Sequence, residues 1–349
     1  MLLLTQSNAG VHAEAPILFP ADQFGKRDLV PKQSNTSAGR LLESLGGKED
    51  RFEPVSRFRV DDPMRIAGRS VGSLRMLVQS GSGSEGVAVC TATLIGPDRL
   101  LTNAHCIPGD EGKVVKAEIW FGYLRLGDEG GHAYPVDIAP VEYDRKLDFA
   151  LLRVHGEPAK RFPPARLSPR AVLENESLFL IHHPGGQPQK LTRAFCRSLP
   201  EKPIDGTIVR HQCDTLGGSS GTLIFAQSDG AIVGLHHSGG LTHNDPTSFN
   251  QGTDAVALKT RIASVTVMSS VVEAVAGAGP ALKGLVGLGG QPTAVPTSRP
   301  PLNVAVAPPG TSPPAALTDP KVLFGDKGNR IGTANAAAPP APPLAPSAQ

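Results

Sequence analysis

Between about Arg65 and Lys259 the chain is written in short apolar or alternating runs, cut apart by Gly, Pro, Asp and Asn. Clear examples are Val87-Ala88-Val89, Ala117-Glu118-Ile119-Trp120-Phe121, Ala150-Leu151-Leu152-Arg153-Val154, Leu178-Phe179-Leu180-Ile181, Thr222-Leu223-Ile224-Phe225 and Ala231-Ile232-Val233-Gly234-Leu235. Breakers at that spacing turn the chain back on itself, so the pattern specifies an all-β sandwich or barrel. The 39 glycines and 33 prolines, set against 5% aromatic residues, fit many tight turns together with some unstructured sequence. A helical pattern follows, from about Leu258 through Ile262, Val265, Val267, Val271 and Val272 to Ala276, and is expected to cap the domain's end.

The flanks differ. Residues 1–62 mix polar, Gly and charged residues with little periodicity, as in Gln33-Ser34-Asn35-Thr36-Ser37-Ala38-Gly39, and are expected to be a leader or pro-segment without chemistry of its own. Met1-Leu2-Leu3-Leu4 and Val11-His12-Ala13-Glu14-Ala15 lack a basic start and a full apolar stretch, so the beginning reads equally as a truncated signal peptide or an ordinary disordered leader. Residues 277–349 are dominated by Ala, Pro and Gly and cannot bury enough apolar surface to offset their ordering entropy. The expected organisation is a leader over 1–62, one β domain over 63–276 and a disordered tail over 277–349.

Charged residues make up 19% of the 349 and the net charge is +2, which supplies no field of the kind that grips phosphate backbones or anionic lipid. Nucleic acid and membrane surfaces are excluded as partners on that ground. No run of about 18 apolar residues occurs, which excludes a spanning helix.

Three passages carry chemistry. The first is Leu100-Leu101-Thr102-Asn103-Ala104-His105-Cys106, an apolar strand ending in a His followed at once by a Cys. The second is Asp144-Arg145-Lys146-Leu147-Asp148-Phe149-Ala150-Leu151-Leu152. An Asp heading an apolar strand is buried at low cost only if its charge is satisfied, and an imidazole N–H does that while fixing the ring's tautomer. Asp148 is the natural candidate, although a turn residue leading a strand looks the same. Asp144 is the competing acid, in a polar turn. The third passage is Cys213-Asp214-Thr215-Leu216-Gly217-Gly218-Ser219-Ser220-Gly221-Thr222. A nucleophilic serine needs an exposed hydroxyl, a nearby base and backbone N–H groups aimed at a developing oxyanion, and a glycine-rich loop permits that approach. Read as Gly-x-Ser-Gly the nucleophile is Ser220; read as Gly-x-Ser-x-Gly it is Ser219. The order His, Asp, Ser separates this arrangement from hydrolases that run Ser, acid, His or Asp, His, Ser.

The His-Cys passage resembles the histidine signature of chymotrypsin- and trypsin-like serine peptidases, and Gly218 to Gly221 resembles the Gly-Ser-Ser-Gly of their bacterial branch, which favours Ser220. With Ile181-His182-His183-Pro184-Gly185-Gly186 and Gly234-Leu235-His236-His237-Ser238-Gly239-Gly240, the chain is similar to compact bacterial trypsin-like and glutamyl-endopeptidase-like enzymes over about residues 65–275. The resemblance implies two packed antiparallel six-stranded β-barrels, chymotrypsin-like, with a C-terminal helix and disordered termini. It implies a catalytic triad of His105, Asp148 and Ser220, with the N–H groups of Gly218 and Ser220 as oxyanion hole. It implies a disulfide between Cys90 and Cys106, which leaves Cys196 to pair with Cys213 and favours a secreted or periplasmic location over a cytoplasmic one.

Specificity is divided at this stage. Asp214 stands six residues before Ser220, where trypsins carry the acid that pairs with Arg or Lys, whereas Thr215 and His236 resemble the hydroxyl and imidazole with which glutamyl endopeptidases hold a carboxylate. An acidic residue before the cut is the preferred reading. Departures include Ser219 in the place where vertebrate-type trypsins have the acid that captures a new N-terminus. The chain is thus read as a monomeric serine endopeptidase acting on protein or peptide substrates, without cofactor or metal. The alternatives are a binding module of protease fold that has lost catalysis, and a metal or redox protein using the His and Cys residues.

Overall fold

Two adjacent leucines show how the β pattern is used. Leu100, Ala150 and Leu152 fall in one buried cluster with Leu74, Ile119 and Phe121, whereas Leu101, Phe149 and Leu151 fall in another with Phe179, Leu223 and Leu235. Alternate residues of a strand face opposite sides. Arg99–Thr102 and Phe149–Arg153, paired antiparallel, therefore stand between two cores, which is why they read as unbroken apolar runs.

The computed structural model describes residues 12–13, 17–30 and 51–262, apart from loop stretches at 82, 108–111, 128–129, 200–205 and 243–244. One antiparallel sheet runs, in spatial order, His132–Val136, Gly112–Phe121, Val71–Ser80, Glu85–Leu94, Arg99–Thr102, Phe149–Arg153 and Glu142–Asp144, with Ile17–Pro20 added on Glu85–Leu94. The other runs Ile208–His211, Asn250–Asp254, Ile232–Gly239, Leu223–Ala226, Leu178–His182, Lys190–Thr192 and Glu53–Pro54, with His12–Ala13 added on Ile232–Gly239. Isolated bridges of Val136 with Val154 and of Ser198 with His211 join segments from opposite ends of each series.

The all-β, antiparallel class agrees with the sequence pattern, but each sheet has eight strands where six were expected. Three of the additional strands come from before residue 63, where pairing rests on backbone hydrogen bonds and needs no apolar periodicity. Cys90 is bonded to Cys106 and Cys196 to Cys213, closing separations of 16 and 17 residues. Constraining the unfolded chain in this way contributes roughly 3 kcal/mol per bridge in the loop-entropy account. A helix occupies 255–262, the start of the expected helical stretch; its continuation to Ala276 and the tail over 277–349 lie outside the described residues. No helix among the described residues is long and apolar enough to cross a membrane.

One buried charge ties the N-terminal residues down. Arg75, on Val71–Ser80, is fully buried, with its guanidinium carbon 5.1 Å from the ring centres of both Trp120 and Tyr123. It donates to the carbonyls of Lys26 (2.5 Å) and Arg27 (2.8 Å) and to Ser73 Oγ (3.3 Å). Burial pulls its pKa down to about 10, against the attraction of the Tyr123 phenol and the Glu118 and Asp28 carboxylates, so the group stays a cation at neutral pH.

Candidate active site

Antiparallel pairing of Thr102 with Ala150 brings the end of one strand beside the start of the other. Asn103 to Cys106 leave the first as a turn, closed by Ile107 N–H donating to Ala104 O, and Asp148 ends the tight link from Glu142–Asp144. Asp148 adopts a left-handed conformation (φ 47°), which Asp tolerates better than most residues. The consequence is a carboxylate aimed at His105: Oδ1 accepts the His105 backbone N–H (2.9 Å) and Oδ2 lies 2.6 Å from Nδ1. Asn103 Nδ2 donates to Asp148 O at 2.7 Å and fixes the turn. Burial pushes the Asp148 pKa up, but the His105 ring and backbone N–H, with a smaller contribution from His237, outweigh it and hold the carboxyl below its usual range. An ionised Asp148 makes Nδ1 the protonated nitrogen and leaves the Nε2 lone pair as a base.

Asp144 is occupied elsewhere. Its Oδ1 accepts the N–H groups of Lys146 and Leu147, and Oδ2 pairs with Arg261.

The serine loop is held from the other sheet by Thr91, whose N–H donates to Ser220 O (2.8 Å) and whose hydroxyl donates to Gly218 O (2.8 Å). Gly218 (φ 94°) and Gly221 (φ 87°) must be glycine: a Cβ on Gly218 would sit 2.8 Å from His183 O, and one on Gly221 would run into Thr91 O and Thr102 Oγ1. Neither the Gly218 nor the Ser220 N–H donates to an acceptor among the described residues. Ser220 O lies 4.0 Å from Cys106 Sγ, and a ring nitrogen of His105 lies within 4.8 Å of both bridge sulfurs, so the loop abuts the histidine turn. Among the described residues, Ser220 Oγ and His105 Nε2 make no hydrogen bond to each other or to any other group.

The neighbouring Ser219 is wholly buried, and its oxygen is engaged by His182 Nδ1 (2.8 Å) and Leu216 N–H (3.1 Å). His182 Nε2 lies 2.9 Å from Thr192 Oγ1, which donates to Asp214 O (3.3 Å). One hydrogen assignment serves all of these groups: Nε2–H donates to Thr192, and the Ser219 hydroxyl donates to Nδ1.

A cleft of about 340 Å³ opens beside the pair, lined by His105, Asp148, His237, Lys146, Ile208 and Thr253 among others. Burial pulls the His237 pKa down to about 4 in spite of the Asp148 charge, so the ring is neutral at pH 7. His237 leads into Ser238 and Gly239, which pair antiparallel with Ala13 and His12. Ser238 also pairs with Gln251, so His12–Ala13 take the edge opposite Asn250–Asp254. That is the edge shared with Leu223–Ala226 and with Gly221, whose N–H donates to His236 O.

Of the proposed specificity residues, Thr215 and His236 are linked indirectly, through Asn250, Cys213 and His211, and Asp214 pairs with Arg51. Asn250 Nδ2 donates to Thr215 Oγ1 (3.1 Å) and to Cys213 O (2.8 Å). His211 Nδ1 accepts the Cys213 N–H (3.2 Å), so its proton is on Nε2, 3.1 Å from His236 Nδ1. His236 therefore carries its own proton on Nε2. Asp214 is wholly buried and forms a bidentate ion pair with Arg51, through Nε at 2.7 Å and through Nη2. Cys90, His105 and Cys106 present donor atoms within 4.8 Å of one another, but two of them are joined as a disulfide and are not thiolate ligands.

Sequence reasoning missed Thr91, Asn103, His237 and Arg51 as members of this neighbourhood. Asn103 stands inside the passage that ends in His105 and Cys106 and was findable as a polar residue at a buried strand end, whereas Arg51 has no local signal.

Residues 90–235 match a family model described as a trypsin-like peptidase domain. Secreted RxLR effector protein 73 of Plasmopara viticola is 28% identical over 192 residues, covering 50% of this chain and 47% of that protein. Serine protease Rv3671c of Mycobacterium tuberculosis is 25% identical over 155 residues, covering 42% of this chain and 34% of that protein. The chain thus spans less than half the length of these curated relatives. Among solved structures, a Glu endopeptidase in complex with MPD aligns with a TM-score of 0.47 at 18% identity, over 64% of this chain and 99% of that one. The active form of the Rv3671c protease aligns with a TM-score of 0.43 at 20% identity, over 68% and 93%.

Proposed function

From a chain whose residues 90–235 match a trypsin-like peptidase domain, we propose a serine endopeptidase that hydrolyses peptide bonds through an acyl-enzyme, with His105, Asp148 and Ser220 as its triad. The observation that carries the reading is the short His105–Asp148 pair set against the Ser220 loop. His105 Nε2 takes the Ser220 proton as Oγ attacks the carbonyl carbon. Asp148 orients the ring and stabilises the imidazolium that results. The N–H groups of Gly218 and Ser220, uncommitted within the described residues, stabilise the oxyanion. His105 then delivers the proton to the leaving amine as the C–N bond breaks, and water, deprotonated by the same nitrogen, releases the acid and restores Ser220. Because Ser220 Oγ and His105 Nε2 have no other partner among the described residues, no competing bond within them opposes the hydrogen bond that starts the sequence.

The test is labelling by a fluorophosphonate at neutral pH, with the adduct located by mass spectrometry. A single adduct on Ser220, absent in His105→Ala, is expected. A folded chain that takes no label would sink catalysis and leave the inactive binding module.

A substrate adds as an antiparallel strand to the edge of Ile232–Gly239. Support comes from His12–Ala13, which lie on that edge with their backbone. A peptide must displace them, so removing residues 1–16 is expected to lower KM with kcat unchanged, as initial rates on a peptide series would reveal. An acidic residue before the cut is the proposed preference, carried by the hydroxyl of Thr215 and the imidazole of His236, whose proton the His211 contact puts on Nε2. The two disulfides favour an exported protein.

A further inference from the structure

We propose that Lys146, at the rim of the cleft beside His105, makes this protein favour substrates with an acidic side chain a short way before the cut, upstream of the residue at the scissile bond. The proposal rests on the peptidase reading above, but not on which residue stands at the bond itself.

The order in which a bound strand meets this surface follows from a pairing already present. His12 lies opposite Gly239 and Ala13 opposite Ser238, so an antiparallel chain on this edge runs toward His237. His236 comes next, and its carbonyl accepts the Gly221 N–H, which puts the serine loop beyond it. A substrate laid down in the same sense therefore passes His237, and the cleft that His237 lines, before it reaches Ser220.

The charge of that cleft is one-sided. Among the described residues its lining holds two cations, Arg145 and Lys146, and one carboxylate, Asp148, which the His105 ring and backbone N–H engage. His237 is neutral at pH 7. Asp144, two residues before Lys146, is committed to the N–H groups of Lys146 and Leu147 and to Arg261. Those bonds pin the backbone at Lys146, while its exposed ammonium makes no ion pair or hydrogen bond among the described residues. A cation so placed, with no acid of its own, attracts a carboxylate on the passing chain and opposes a second cation. Its exposure limits the gain, because water and salt screen such a pair. The result is a preference of several-fold, layered on whatever the residue at the bond contributes.

The experiment measures kcat/KM on peptides that share the residue after which wild type cleaves best and carry Glu or Gln, in turn, at the second, third and fourth places before the bond. At low salt wild type is expected to favour Glu at one or more of these places by about threefold to tenfold. Lys146→Ala is expected to lower that Glu/Gln ratio by about threefold, and Lys146→Glu to lower it further, since the charge at the rim is then reversed. Raising the salt should move the wild-type ratio toward one, as the Debye length shrinks from about 30 Å at 0.01 M to about 3 Å at 1 M. A merely structural role would slow the Glu and Gln peptides alike. Fluorophosphonate labelling of Ser220 at the wild-type rate reports that each variant folds with its chemistry intact. A labelled Lys146→Glu with the wild-type ratio overturns the proposal, as does a wild type indifferent to Glu and Gln at all three places. An equal fall for Glu placed after the bond traces the effect to the overall field of the protein and overturns it too. A wild type that neither labels nor cleaves refutes the peptidase reading itself, and this inference with it.

Discussion

Ser220→Ala is expected to lower kcat/KM by on the order of 10⁴- to 10⁶-fold, with the melting temperature unchanged, because in the proposed mechanism Ser220 is the nucleophile and its loss removes the covalent path. The folding half of that expectation follows from the Ser220 hydroxyl, which makes no hydrogen bond among the described residues that its removal could break. Ser219→Ala should show the reverse balance. Its hydroxyl joins His182 Nδ1 and the Leu216 N–H, and deleting it strands two buried polar groups, at about 1–3 kcal/mol each. Activity should fall far less than in Ser220→Ala while stability drops. Steady-state kinetics with thermal unfolding of both variants separates the two serines; a dead Ser219→Ala beside an active Ser220→Ala would make Ser219 the nucleophile.

Acidification from pH 7 to 4 should destabilise the fold steeply. Burial pulls the pKa values of His182, His183, His211 and His237 down, to about 4 for His183 and His237. A base whose folded pKa is depressed contributes stability above its unfolded value near 6.5 and loses it as pH falls toward the folded value, because the unfolded chain then binds more protons. His183, fully buried against Tyr123, accounts for up to about 3 kcal/mol by pH 4. Asp148 has the same sign in a lower window, since its depressed pKa is felt only below the ordinary carboxylate value. Thermal unfolding of Ser220→Ala between pH 7.5 and 4.5, where autolysis is absent, should show the melting temperature falling from about pH 6.5; a flat profile would contradict neutral burial of these rings.

What was legible in the sequence is what local pattern encodes. Leu100-Leu101 and Phe149 to Leu152 announce strands buried on both faces, and an Asp at the head of such a strand advertises a need for a partner, which here is His105. The choice between Ser219 and Ser220 was open because it depends on His182, 37 residues away, which occupies one hydroxyl and leaves the other unengaged. Asp214 could not be read because its counter-charge is 163 residues away, in a stretch with no periodicity. The added N-terminal strands were invisible for a related reason. An edge strand held by main-chain bonds asks little of its side chains, and Ile17-Leu18-Phe19-Pro20 is too short to carry a period.

Arg75 draws a boundary that composition does not. Its guanidinium, sealed between two rings, has the carbonyls of Lys26 and Arg27 where a counter-ion would ordinarily stand. Severing the chain after Val30 and losing the segment would strand a cation in the interior, a defect of about 3–5 kcal/mol, comparable to the whole margin by which many domains stay folded. Any proteolytic maturation must therefore leave the Lys26 and Arg27 carbonyls in place, and the segment that carries them behaves as a resident ligand that the domain cannot release without stranding Arg75.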